Sequence, residues 1–74
     1  MKITYDLEGD ALYILLREAK PEDSFDLNPG ITVDIDEKGE IIGVEIIGAR
    51  ERGIFINDLH LENLPYSAPS MQVI

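Results

Sequence analysis

The twelve residues from Asp34 to Glu45 carry the densest set of potential ligands in the chain. Asp34-Ile35-Asp36-Glu37-Lys38-Gly39-Glu40-Ile41-Ile42-Gly43-Val44-Glu45 lies on the calcium-loop template, with carboxylates at loop positions 1 and 3, glycine at 6, an aliphatic residue at 8 and glutamate at 12. Asp34, Asp36 and Glu45 are therefore the candidate ligands of a divalent cation at this hairpin. Two features count against that chemistry. Lys38 puts a positive charge where the fifth position should supply oxygen, and both flanks alternate in the manner of strands, whereas a calcium loop needs a helix on each side.

Asp6, Glu8 and Asp10 place three carboxylates within five residues, beside Tyr5 and Tyr13. Paired carboxylates perform acid–base work when burial separates their pKa values. Acids in a tight turn more often cap backbone amides or stand in water. His60 is the single histidine and lies between two leucines, and one imidazole makes a weak metal site. Ser24, Ser67 and Ser70 lack a nucleophile-elbow context, and neither a dinucleotide fingerprint nor a phosphate loop occurs. No catalytic residue, enzymatic activity or cofactor is assigned on these grounds.

The elements that must position these groups follow a period of two. Lys2 to Tyr5 reads as a short strand ended by the polar turn Asp6 to Asp10. Ala11 to Leu16 reads as a second strand with two apolar faces, Leu12/Ile14/Leu16 and Ala11/Tyr13/Leu15, each needing cover from the domain itself or from another subunit. After a charged connector containing Pro21, Phe25-Asp26-Leu27 reads as an edge strand broken by Asn28-Pro29-Gly30. Ile31 to Asp36 alternates with Ile31, Val33 and Ile35 inward. A turn over Glu37 to Glu40 returns it as Ile41 to Ile47, with Ile42, Val44 and Ile46 on the core face. Beyond this hairpin, Ala49 to Arg52 fits a helical turn cut by Gly53. Residues 54–64 fit either a strand or a short helix capped by Asn57 or Asp58. Arg50-Glu51-Arg52 fits a solvated turn or a contact with an acidic surface.

Two blocks stand out as a pattern: Lys2-Ile3-Thr4-Tyr5-Asp6 with Asp10-Ala11-Leu12-Tyr13-Ile14, and Gly30 to Gly39 with Ile42-Gly43-Val44-Glu45-Ile46. Over about residues 2–50 they resemble a family of small bacterial and archaeal proteins, domain of unknown function 2283. The resemblance implies a compact antiparallel β unit without assigned activity or catalytic residues. Some members stand beside toxin-like genes, which adds an antitoxin-like role to the readings considered.

Seventy-four residues form one domain, expected over 1–64 with an irregular tail over 65–74. A chain this short buries only about 60% of the surface its unfolded form exposes, which leaves a lone copy marginal, and with no cysteine it has no disulfide to compensate, so self-association is the usual remedy. Six Lys+Arg against fifteen Asp+Glu give a net charge of −9, and the cations are scattered, which disfavours nucleic acid and suits a basic protein partner. No apolar run reaches the length of a membrane span, and the N-terminus meets an acid before a leader could develop, so a cytoplasmic location is expected. The expected architecture is mainly β (α+β as the variant), a small antiparallel meander sheet of four to five strands with a short helical or irregular C-terminal segment. The expected function is that of an interaction module forming a homo-oligomer, a dimer, with Leu12, Tyr13, Ile14, Leu15 and Phe55 as interface candidates. The alternatives are an acidic binder of a basic protein and the divalent-cation binder.

Overall fold

Alternating β-branched residues need a pleated surface on which every second side chain is hidden, and the chain meets that need with one open antiparallel sheet. A computed structural model describes residues 1–65; the expected tail over 65–74, apart from its first residue, lies outside the described residues. The strands are β1 (Lys2–Asp6), β2 (Ala11–Leu15), β3 (Asp23–Asn28), β4 (Ile31–Ile35) and β5 (Ile41–Ile47). The helical content among the described residues is a single 3-10 turn at Ile56–Asp58. The fold is mainly β, as the alternation predicts.

In space the strands run β1-β2-β5-β4-β3, every neighbour antiparallel. β3, β4 and β5 are joined by tight turns as a meander, whereas the connector after Leu15 carries the chain past β5 and β4 to the far edge. The four strands from β2 to β5 thus follow Greek-key order. The long hairpin from Ile31 to Ile47 supplies β4 and β5, two of the three inner strands, and β2, the third, docks against β5 in register Leu12↔Ile46 and Ile14↔Val44.

The pairing puts Ile3, Tyr5, Leu12, Ile14, Val44, Ile46, Ile31, Val33 and Phe25 on one face of the sheet. Between β4 and β5 the register slips, so that Ile41 and Ile42 of β5 together face Ile35. This bulge turns Ile42 fully into the core, at 0% exposure. Leu12, Val33, Ile42 and Ala49 are the buried hydrophobic residues among those described.

After β5 the chain makes a hydrogen-bonded turn over Ala49 to Arg52. Ile54 N–H donates to Ala49 O (2.9 Å) and Gly53 N–H to Arg50 O (3.0 Å), the paired bonds of a Schellman motif, with Gly53 at φ +78°. Any side chain at that φ is strained, so the glycine marks where the turn must stop. The chain then runs back over the apolar face, where Ile54, Phe55, Ile56 and Leu59 line a cleft with Ile3, Leu12 and Ile14. No helix among the described residues is long and apolar enough to cross a membrane.

Candidate functional site

The polar face of the sheet gathers the side chains that could do chemistry. Tyr13 on β2 and Glu45 on β5 are register partners, as are Asp34 on β4 and Ser24 on β3. Tyr13 leans diagonally across β5 and donates from its hydroxyl to Asp34 Oδ2 (2.7 Å), while Ser24 Oγ donates to Asp34 Oδ1 (2.6 Å). One carboxylate thus ties β2, β4 and β3 across the intervening β5. The bond holds the tyrosine neutral and raises its pKa above the usual 10.0.

Gly43 makes this crossing possible. A Cβ on Gly43 would stand 2.6 Å from Cζ of Tyr13 and closer still to its hydroxyl. A glycine amid the β-branched residues of β5 is the sequence signature of such a close approach, although it does not name the side chain that approaches.

Asp36 closes the β4–β5 hairpin. Its Oδ1 accepts from Lys38 N–H (2.9 Å) and Glu40 N–H (3.0 Å), and its Oδ2 forms an ion pair with Arg17 from the connector after β2. The Arg17 guanidinium, followed by the turn amides, holds this carboxyl below its usual 3.8. The three candidate ligands of the 34–45 hairpin therefore have separate engagements: Asp34 with Tyr13 and Ser24, Asp36 with Arg17 and the turn, Glu45 on β5 beside Thr32 and Tyr13. The segment is flanked by strands. Among the described residues no group of three or more His, Cys, Asp or Glu side chains could hold a metal ion.

Of the acids in the first turn, Asp6 caps Glu8 N–H at 3.2 Å. Asp10 does more. Its carbonyl accepts from Gly48 N–H (2.9 Å) and Ala49 N–H (3.1 Å), and its carboxylate accepts from Arg50 N–H and from the Tyr5 hydroxyl (2.6 Å). Asp10 reaches this geometry at φ +49°, in the left-handed region that Asp and Asn tolerate better than other non-glycine residues. The Tyr5 bond, then the backbone amides, lowers its pKa and raises that of Tyr5. Nothing in the sequence pairs Asp10 with a segment forty residues away.

The cation at 52 serves the backbone. Arg52 donates from Nε to Ile47 O (3.0 Å) and from Nη2 to Pro29 O, pinning the β3–β4 turn to the end of β5. His60 stands on the surface with Nε2 3.0 Å from Asp58 Oδ1.

The interface candidates fall into three environments. Leu12 is buried at 3% exposure, already covered within its own chain by the returning segment. Tyr13 belongs to the polar face and is committed to Asp34, while Ile14 and Leu15 are half-buried on opposite faces. Phe55 is 53% exposed. Alternation alone missed Phe25 and Leu27, which β3 leaves 51% and 63% exposed at the margin of the apolar face.

The family model described as "Protein of unknown function (DUF2283)" matches residues 2–50, two thirds of the chain. The chain belongs to this family. The DUF2283 match ends at Arg50, whose N–H the Asp10 carboxylate accepts, so the family's segment coincides with the sheet and the bond that closes it. An uncharacterised protein of Methanocaldococcus jannaschii is 41% identical over 49 residues, covering 66% of this chain and 41% of its own length. The chain thus spans about two fifths of the curated relative it matches. No solved structure matches the chain.

Proposed function

We propose that this DUF2283 chain is an interaction module that associates with a second copy of itself through its sheet. One observation carries the reading: the apolar face is covered on its β1–β2 side by residues 54–59, while Phe25, Leu27, Phe55 and Leu59 remain more than half exposed. Four buried hydrophobic residues among those described make a thin core for an independent domain. Apolar surface of this kind marks a contact. Sedimentation equilibrium over a hundredfold range of concentration tests it. The expected result is a reversible rise toward twice the mass of one chain, and a constant single-chain mass overturns the reading.

The second reading is a basic protein partner. Net charge −9 supports it, as does the placement of Asp6, Asp26, Asp34 and Glu45 on the face opposite the core. Opposite charge would speed such an encounter and make it sensitive to salt. A divalent cation at 34–45 is the third. It would require Asp34 to leave Tyr13 and Ser24, and Asp36 to leave Arg17, and calorimetry with calcium, magnesium and manganese reads it directly.

A further inference from the structure

An open sheet has two edges, and the two are unlike. β3 is blunted against pairing: Pro21 precedes it, Asp23 and Asp26 charge it, Leu27 sits in a register slip, and Ser24 N–H is already donated to the Asp23 carboxylate (2.8 Å). These are the devices by which sheet proteins protect an edge. β1 carries no bulge, its register with β2 being regular from Lys2 to Asp6, and among the described residues no backbone hydrogen bond joins its outer side to another segment.

The outward groups of β1 follow from the ladder. Leu16 N–H donates to Ile42 O, so the even residues of β2 direct their backbone groups to β5 and the odd residues to β1. Lys2, Thr4 and Asp6, opposite Leu15, Tyr13 and Ala11, therefore bond inward. Ile3 and Tyr5 are left with N–H and C=O pointing away from the sheet.

From these observations we propose that the second copy binds at β1, antiparallel about a two-fold axis through Thr4, joining the two five-stranded sheets into one. The proposal rests on the self-association reading and specifies its joint on the β1 side of the apolar face, beside Leu59, with Phe25 and Leu27 of the opposite edge outside it. The sequence Lys2-Ile3-Thr4-Tyr5-Asp6 is self-complementary in this register. Lys2 stands opposite Asp6 of the second copy at both ends, Ile3 opposite Tyr5, and Thr4 opposite Thr4. The register also matches the free hydrogen-bonding groups, because Ile3 and Tyr5 are the pair that must exchange both N–H···O bonds. The Thr4 pair and the Lys2–Asp6 pairs then fall at the close, non-hydrogen-bonded positions, where side chains approach nearest and opposite charges help. Ile3 and Tyr5 fall on the apolar face, so that face continues across the joint, flanked by exposed Leu59, which shares a cleft with Ile3. The same patch meets itself, as a closed two-fold interface requires.

The chain has no cysteine, so single-cysteine variants report the joint cleanly. Under mild oxidation Thr4→Cys is expected to give a disulfide-linked dimer, while Ser24→Cys on the blunted edge stays single. Lys2→Glu and Asp6→Lys are each expected to weaken association roughly tenfold, since both ends of the joint then oppose like charges. A one-to-one mixture of the two variants is expected to restore it. A constant single-chain mass for the unaltered protein overturns self-association and this joint together. A dimer in sedimentation that Thr4→Cys fails to link, or that the charge variants leave unchanged, overturns the β1 joint alone.

Discussion

Asp34 shows how one side chain can set the geometry of a sheet. Its two oxygens accept from strands on either side, and the Tyr13 bond requires a position on β5 with no Cβ. Gly43→Ala should therefore displace Tyr13 and cost about 1–3 kcal/mol, because crowding and a lost hydrogen bond add. Tyr13→Phe alone should cost roughly 1 kcal/mol. In a Tyr13→Ala background the Gly43→Ala cost should largely vanish, and urea unfolding of the four proteins measures that coupling. The titrating groups act at both ends of the pH range. Asp10 and Asp36 are ionised below their usual 3.8 in the folded chain, so their stabilisation is present above that value and is lost as pH falls through the lower folded values. Asp36→Asn should flatten the acid side of a plot of Tm against pH. Tyr5 and Tyr13 titrate above 10.0, so their contribution is present below pH 10 and is lost as pH rises through the folded values.

At the scale of elements, the β4–β5 hairpin is the organising unit. It supplies two of the three inner strands, its turn is closed by the Asp36 carboxylate, and its bulge delivers Ile42 to the core. Ile42→Ala should cost about 2–4 kcal/mol, the usual range for emptying a buried aliphatic site. In a core this thin that is a large share of the stability, and a drop of many degrees in Tm is the expected readout. The segment after Gly53 answers the two-faced strand β2. It covers Leu12 and Ile14, while Tyr13 on the other face is half-buried by the diagonal bond over Gly43.

For the whole molecule, charge and apolar surface oppose one another. Two copies at net charge −9 repel over long range, and salt screens that repulsion while leaving short-range pairing and apolar contact largely intact. Self-association should therefore strengthen between about 20 and 500 mM salt, a range that takes the screening length from well above 10 Å toward 4 Å. A complex with a basic partner should weaken over the same range. Sedimentation and pull-down across one salt series separate the two behaviours by sign.

Period-two alternation from Ile31 to Ile47 was enough to place the central hairpin, its inward residues and its glycine-bearing turn, because a strand's side-chain faces depend on neighbouring positions alone. The first two strands and the stop at Gly53 were legible for the same local reason, through apolar faces and a residue free to take positive φ. Strand order was not. Whether β2 meets β3 or β5 depends on which apolar faces pack together, and alternation is indifferent to that choice. The same holds for Asp10 with Arg50, Tyr13 with Asp34 and Arg17 with Asp36, where the partners lie 40, 21 and 19 residues apart. The sequence supplied the acids; only the folded sheet decided which of them meet a hydroxyl, an amide or a guanidinium, because those meetings follow from register between strands and not from spacing along the chain.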